Sequence, residues 1–421
     1  MPSLGPHVRC GCDRTGTNAA SRPARGSALA SERFSLGKLR RKCRSALEGT
    51  RVTSKTRAPN VLVAGALLGQ EMGGVRRHNA ELLSRANRKL SAGGGRLAIL
   101  EGRTKIRLPH PEQYECLKSD VPDSPPWARA RHESKAIKKA LREAQPTPFD
   151  LVHTGHLPAP HGLGIPISLT LHDLRKLERF PQRLVAAPIL ADSIRRAAAV
   201  ITVSETVRAQ VEARFRTTRT RVVPNAADHL QVLARRPVAE PFLLHVGHLE
   251  PRKNLELLLH ALARDPGLPP LKLAGGAKGG AQQRLEALAR NLGVSERVCF
   301  LGPVAEERLA ILYAECAAAV FPSRIEGFGI GVVEALRASA PVAIANAGAL
   351  PEIAGSGVPR FAPDDASECA RAIRATLGLG EEQLEEMAQG VERYSWERSA
   401  ALLVDIWMEI ARPTTAASRP P

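Results

Sequence analysis

The stretch from Phe321 to Leu336, which reads FPSRIEGFGIGVVEAL, is the part around which the chain is organised. An apolar run from Ala317 to Phe321 leads into it, and a helical pattern from Ile330 to Arg337 leads out. A strand–loop–helix unit of this kind presents free backbone N–H groups and the positive end of a helix dipole at one point. Gly327 and Gly329 allow a tight turn and a close backbone approach by a bulky anion such as a diphosphate. The stretch therefore predicts an anion-binding loop at the end of a strand.

Two glutamates flank this loop. Glu326 precedes the glycines, and Glu334 lies on the second turn of the predicted helix. Carboxylates offer only acceptors, so they bind neutral hydroxyl groups well. A turn with a solvated glutamate would account for Glu326 or Glu334 alone. The presence of both glutamates at this spacing favours a binding site instead.

The composition is that of a soluble globular protein with room for two domains. The chain has 421 residues, 43% of them hydrophobic and 24% charged. Its net charge of +18 is uneven, because residues 1–60 hold thirteen Lys or Arg against three Asp or Glu. A positive charge suits phosphorylated substrates or an anionic lipid surface. Aromatic residues make up only 4% and give no stacking platform for single strands, so we expect no nucleic-acid partner.

Residues 1–58 are rich in Arg, Ser, Gly and Ala and show no sustained period, so we predict a disordered basic extension. The cluster Arg40, Arg41, Lys42 and Arg44 is either a solvated tail or a contact for a membrane surface. No apolar run approaches the length of a membrane span, and no secretion signal is visible. We expect a cytoplasmic protein, with contact to the inner face of an anionic membrane as the further option.

The next part of the chain, residues 59–237, reads as a first Rossmann-like domain. A strand pattern begins at Asn60, and Gly73 and Gly74 follow at a strand-to-helix turn, where an anion or a sugar can approach. A later strand ends at His172 and Asp173, which places the histidine where it can face a cleft between domains.

Residues 238–393 read as a second domain of the same kind, and residues 394–412 as an amphipathic terminal helix. Arg252 and Lys253 stand at the predicted start of a helix that runs to Leu262. Two cations at a helix N-terminus after a strand are well suited to a diphosphate.

Glu326 and Glu334 form an E-x7-E pair that resembles the signature of retaining glycosyltransferases of family 4. The resemblance extends over residues 60–410 and includes the segments TLHDL at 170–174, VVPNA at 222–226, GHLEPRKNL at 247–255 and PVAIANAGALPE at 341–352. Ala226 and Ser339 depart from it, because the family usually has glycine at both places. The GT-B fold of that family implies two Rossmann-like α/β domains that face each other across a cleft, and a terminal helix that crosses back to the first domain.

The resemblance also implies roles for individual residues. Glu326 faces the donor sugar, Glu334 holds the ribose of the nucleotide, and His172 lies near the transferred sugar. The resemblance assigns the diphosphate to two cations and to the backbone amides of the loop: Arg252, Lys253, Gly327, Phe328 and Gly329. It assigns contact with the donor phosphates and the acceptor to the first glycine turn, Gly73 and Gly74.

We therefore expect a retaining glycosyltransferase that moves mannose or another hexose from a nucleotide-diphosphate sugar to a glycan or lipid-linked acceptor. No Asp-x-Asp motif is present, so we expect neither a metal nor an organic cofactor. Two alternatives stay open: another enzyme on the same fold, such as a sugar-nucleotide epimerase, and a catalytically silent subunit that binds sugar nucleotides. The presence of Glu326, Lys253 and His172 argues against the silent subunit.

Overall fold

The computed structural model describes residues 57–68, 73–106, 108, 110–178, 180–236 and 238–412. The basic extension predicted over residues 1–58 therefore lies outside the described residues, apart from its last two positions. The described residues belong to one unit that begins at Arg57.

The first half of this unit is a parallel sheet of seven strands in the order β3-β2-β1-β4-β5-β6-β7. The strands are short apolar runs, and those at the centre are buried along their whole length, as expected for a sheet with helices on both faces. The strands are β1 Asn60–Ala64, β2 Arg96–Glu101, β3 Glu115–Lys118, β4 Leu151–Thr154, β5 Ile167–Leu171, β6 Ala199–Thr202 and β7 Thr220–Val222. The helices are α1 Gly74–Ala92, α2 Pro126–Glu143, α3 Gln182–Arg196 and α4 Glu205–Phe215.

The second half repeats the plan with six parallel strands in the order β10-β9-β8-β11-β12-β13. The strands are β8 Leu243–Val246, β9 Leu271–Ala274, β10 Val298–Gly302, β11 Ala318–Phe321, β12 Val342–Ala345 and β13 Arg360–Phe361. The helices are α5 Leu255–Arg264, α6 Ala281–Asn291, α7 Glu306–Glu315, α8 Ile330–Arg337, α9 Leu350–Ala354, α10 Ala366–Leu377, α11 Glu381–Gly390 and α12 Trp396–Ala411.

The strand order places a switch point in each sheet. Chain order reverses between β1 and β4 in the first sheet and between β8 and β11 in the second. In open parallel sheets ligands bind outside the carboxyl ends of the strands at such a point. The loop that follows β11 contains Glu326, so the stretch that organises the sequence also lies at the switch point of the second sheet. The predicted α/β architecture of two Rossmann-like sheets is confirmed.

Two local features could not be read from the sequence. The proline-rich stretch 109–126 has the composition of a loop, but it contains the edge strand β3, whose residues are mostly exposed and so show no apolar run. Ser339 adopts a φ of 50°, in the left-handed region that favours glycine, although it carries a side chain. The turn that the family makes with glycine is therefore present here with serine. Ala226, the other departure, is fully buried.

Helix α12 follows the second half in sequence but packs on α1 and β4 of the first half. Trp407 is fully buried in this contact. Its indole Nε1 donates a hydrogen bond to Ser168 Oγ at 3.0 Å. Ser168 Oγ also lies 2.9 Å from Nδ1 of the buried His153. Within the described part of the chain, no helix is long and apolar enough to cross a membrane.

Trp407 should therefore contribute strongly to stability. We expect Trp407→Ala to lower the free energy of unfolding by about 3–5 kcal/mol, because it leaves a large cavity. Trp407→Phe keeps most of the packing and should cost about 1 kcal/mol for the lost hydrogen bond. Urea unfolding followed by circular dichroism measures both. Equally small losses for the two variants would show that the buried indole does not anchor α12.

Candidate active site

A cleft of about 670 Å³ lies between the carboxyl ends of the two sheets. Loops from both halves line it. It brings together all the residues that the sequence nominated: Gly73, Gly74, His172, Arg252, Lys253, Glu326, Gly327, Phe328, Gly329 and Glu334.

Glu326 is held in this cleft by two cations. Lys253 Nζ donates to Glu326 Oε1 at 2.6 Å, and Arg252 Nη1 lies 3.1 Å from Glu326 Oε2. Burial alone would raise the pKa of Glu326, but the charges of Lys253 and Arg252 outweigh burial and lower that pKa from 4.5 to about 2. Arg252 Nη2 also lies 3.3 Å from Glu250. The carboxylate is therefore ionised throughout the neutral range.

The backbone under the two cations differs from the prediction. Arg252 and Lys253 lie on a three-residue 3-10 turn, Pro251–Lys253, rather than in the first turn of a long helix. Asn254 follows with a φ of 57°, a conformation that asparagine tolerates, and α5 begins only at Leu255. The buried Asn254 amide donates to two backbone carbonyls of neighbouring loops. This turn holds the cations at Glu326 without placing them in a helix.

Gly327 packs directly against the first half of the chain. A Cβ built on Gly327 would lie only 1.8 Å from the carbonyl oxygen of His172. Ser204 Oγ, at the N-terminus of α4, donates to the carbonyl oxygen of Gly327 at 2.7 Å. Only glycine fits at this position while the first half stays in contact.

In the rest of the loop, the side chain and the backbone of Phe328 have different surroundings. The Phe328 side chain is buried and packs edge-on against Tyr394, with ring centroids 5.2 Å apart. Gly329 has a φ of 101° and immediately precedes α8. Phe328 therefore belongs to the core through its ring, and only its backbone is suited to contact a ligand.

A second contact across the halves comes from Glu352. Its carboxylate accepts hydrogen bonds from the backbone N–H groups of Glu205 and Thr206 at 2.9 and 2.7 Å. These are two of the unpaired N–H groups at the start of α4, so a residue of α9 caps a helix of the other half. Sequence reasoning did not find Glu352 as a partner, because nothing local to that residue identifies a cap on a distant helix.

His172 faces the cleft as a neutral imidazole. Burial is the main cause that lowers its pKa well below the usual value. Its ring packs edge-on against His78 at 4.6 Å, and His78 Nδ1 lies 2.7 Å from Asn225 Oδ1. Among the described residues, His172 Nε2 has no hydrogen-bond partner although it is buried. His172 Nε2 is thus an unsatisfied polar atom in the wall of the cleft.

The first glycine turn touches the second half. Gly73 has a φ of 51°, and a Cβ there would lie 2.9 Å from His248 Nε2. His248 follows β8 and lines the cleft. The glycine turn and the loop after β8 therefore meet at the cleft.

Glu334 lines the same cleft and is buried, with 8% of its surface exposed. Tyr313 Oη donates to Glu334 Oε2 at 3.0 Å, and His229 Nε2 lies 3.2 Å from Glu334 Oε1. Burial raises the pKa of Tyr313 well above its usual value, and the Glu334 carboxylate raises it further. Tyr313 is thus a permanent hydrogen-bond donor. Tyr313 and His229 were not nominated from the sequence, because they come from distant segments without a motif.

The Lys253–Glu326 pair gives stability a defined pH dependence. The folded pKa of Glu326, about 2, lies below its ordinary value of 4.5, so the pair contributes fully above pH 4.5 and loses its contribution as the pH falls towards 2. Lys253→Met should therefore lower the free energy of unfolding by about 3 kcal/mol at pH 7. Urea unfolding at pH 3, 5 and 7 should show this difference shrinking below pH 4.5. A difference that is the same at every pH would mean that Lys253 stabilises by packing alone.

Two family profiles match the chain, one on each half. "Glycosyltransferase Family 4" matches residues 72–229, and "Glycosyl transferases group 1" matches residues 234–393. D-inositol 3-phosphate glycosyltransferase of Streptomyces bingchenggensis is 32% identical over 184 residues, 40% of each chain. The serotype-specific mannosyltransferase WbdA of Escherichia coli is 30% identical over 194 residues, 44% of this chain and 24% of that protein. The chain thus spans two fifths or less of the length of these curated relatives.

The fold has a close counterpart among solved structures. Sucrose-phosphate synthase from Thermosynechococcus elongatus matches with a TM-score of 0.65 at 21% identity, over 84% of this chain and 99% of that chain. Identity at this level bears on the fold alone. The two profiles together span most of the chain, and each coincides with one of the two sheets. The chain therefore belongs to the family 4 and group 1 glycosyltransferases, and it has their GT-B fold.

Proposed function

We propose that this chain transfers a hexosyl group, with mannose as the first candidate, from a nucleoside diphosphate sugar to a hydroxyl of a glycan or lipid-linked acceptor, with retention of anomeric configuration. The observation that carries the proposal is the ionised Glu326 between Lys253 and Arg252, opposite the neutral His172. Mannose is named first because one relative is a mannosyltransferase.

The donor fits the second half by charge and by size. A cleft of about 670 Å³ lies within the range of roughly 300–1,000 Å³ typical of ligand pockets. Lys253 and Arg252 line it together with Lys278, which lies 3.9 Å from Glu250. These three cations outnumber the two carboxylates they contact, so the local net charge is positive and would attract a diphosphate. The backbone from Gly327 to Gly329 would receive it as well.

Charge stabilisation is the main catalytic effect in this proposal. As the bond from the anomeric carbon to the diphosphate breaks, negative charge grows on the leaving group, and Lys253 and Arg252 stabilise it. Glu326 cannot serve as a general acid near neutral pH, because its pKa is about 2. Its negative charge would instead stabilise the positive charge that develops on the sugar ring. His172, which is neutral, would hold a sugar hydroxyl through Nε2.

The acceptor would enter from the first half, past Gly73, Gly74 and His172. For a lipid-linked acceptor we place the reaction at the cytoplasmic face of a membrane. The basic extension, with its cluster from Arg40 to Arg44, offers charge for anionic lipid there.

The proposal predicts acceptor-dependent turnover. The purified chain, offered GDP-mannose, UDP-glucose and related donors with a panel of glycan and polyprenyl phosphate-linked acceptors, should release nucleoside diphosphate only when an acceptor is present. Proton NMR of the product should show the anomeric configuration of the donor. An inverted product would refute retention, and conversion of a donor to its epimer without acceptor would indicate an epimerase. Tight donor binding without any turnover would indicate the silent subunit.

Gly327 gives a second, more local prediction. Gly327→Ala places a methyl group against the His172 carbonyl, so the two halves must separate there. A displacement of about 1 Å can reduce turnover about a hundredfold, and we expect a loss of that order in kcat/KM. Gly390→Ala is the matched control, because a Cβ at Gly390 meets open space. Unchanged kcat/KM in Gly327→Ala would show that the contact with His172 is not needed for the reaction.

A further inference from the structure

Glu334 is held by two side chains that come from distant parts of the chain. Tyr313, on α7, donates to one carboxylate oxygen at 3.0 Å. His229, in the turn that follows β7 and leads to the second half, has Nε2 3.2 Å from the other oxygen. The His229 and Glu334 side chains are only 5% and 9% exposed, so solvent screens this contact little.

The orientation of His229 is set by Trp396. The indole Nε1 of Trp396, the first residue of α12, lies 3.2 Å from His229 Nδ1. An indole N–H can only donate, so Nδ1 must be the accepting nitrogen. The ring hydrogen is then on Nε2, the nitrogen that lies beside Glu334. Trp396 therefore determines that His229 presents an N–H group, rather than a lone pair, to the carboxylate.

The turn that bears His229 is fastened to the start of α12 at two further points. Asp228 accepts a hydrogen bond from the backbone N–H of Trp396 at 2.9 Å and one from Ser395 Oγ at 3.4 Å. Trp396 itself is fully buried. The His229 imidazole is therefore held in two ways: the backbone of its turn is fixed to α12, and the Trp396 indole contacts the ring. A residue that positions another group has to be fixed in this manner.

We infer that His229 is a positioning residue for Glu334 and that, with Trp396 behind it, it sets the selectivity of the site for a ribose over a deoxyribose. An ionised carboxylate has about four acceptor positions. Tyr313 and His229 occupy one on each oxygen, which leaves one on each oxygen for the two neighbouring hydroxyls of a ribose. This inference rests on the proposed function, in which Glu334 holds the ribose of the donor.

Three variants separate positioning from packing. His229→Asn keeps an oxygen near the place of Nδ1 for the Trp396 indole but is too short to reach Glu334. His229→Gln is the matched rescue, because its amide N–H can reach the place of Nε2. Trp396→Phe keeps most of the buried ring and removes the N–H that fixes the ring hydrogen of His229.

The probes are ADP, CDP, GDP and UDP, the 2′-deoxy form of whichever binds best, and inorganic pyrophosphate, each titrated by calorimetry. In the wild type the ribonucleotide should bind more tightly than its deoxy form. In His229→Asn we expect the ribonucleotide to lose about tenfold in affinity and the ratio of the two affinities to fall towards one. His229→Gln should restore most of the ratio, and Trp396→Phe should give an intermediate value. Pyrophosphate affinity should stay the same in all of them.

A purely structural role for His229 would weaken ribonucleotide, deoxynucleotide and pyrophosphate together, and that result would overturn the inference. So would a wild-type affinity ratio in His229→Asn, which would leave the proposed function intact. If no ribonucleotide binds the folded wild-type chain, the proposed donor site itself fails, and the inference fails with it. Circular dichroism of each variant confirms the fold. Should the Asn variant not fold, Trp396→Phe keeps the test decisive, because an unchanged affinity ratio in that variant would overturn the inference.

Discussion

The site depends on keeping one carboxylate charged inside the protein. Glu326 lies where burial would normally favour the neutral acid, and Lys253 and Arg252 reverse that preference. To bring both cations there, the chain uses a 3-10 turn after β8, stopped by Asn254 in a left-handed conformation. Loss of either cation would leave the nearly buried charge of Glu326 with a single partner, so the loops after β8 and β11 constrain each other.

The two halves contribute different electrostatics to the cleft. The second half supplies the ion pairs around Glu326, whereas the first half supplies the neutral His172 beside the ionisable side chains of Arg77, Asp173 and Arg175. Burial lowers the pKa of His78 to about 4 and that of His153 to about 3, and it lowers the pKa of His172 well below its usual value. Uncharged imidazoles can hold hydroxyl groups without competing for a diphosphate.

Much of the fold and the membership of the site could be predicted from the sequence, because both follow from local patterns. Apolar runs followed by glycines identify strand ends, and parallel strands bring their carboxyl ends to one edge, which is why residues as distant as Gly73 and Glu334 line one cleft. Contacts made only by the folded chain could not be predicted. Glu352 and His229 act on residues far away in sequence, and no spacing reveals them. The left-handed Asn254 interrupts an apparently continuous helical pattern, so the helix was placed too early.

The route of the chain between its halves has a mechanical consequence. The chain crosses to the second half after β7 and returns through α12, and Asp228 joins the two crossing segments by hydrogen bonds. Two connections fastened together at one place act as a single hinge, which permits opening about one axis and resists twisting. Displacement during such opening grows with distance from the hinge. Glu334, which contacts His229 beside that hinge, would move little, whereas Gly327 and His172 meet only through contacts across the cleft and would separate first. If the donor binds as proposed, an opened molecule would keep its contact with the ribose at Glu334 while it exposes the sugar near Gly327 and His172. Release would then begin at the sugar end of the ligand.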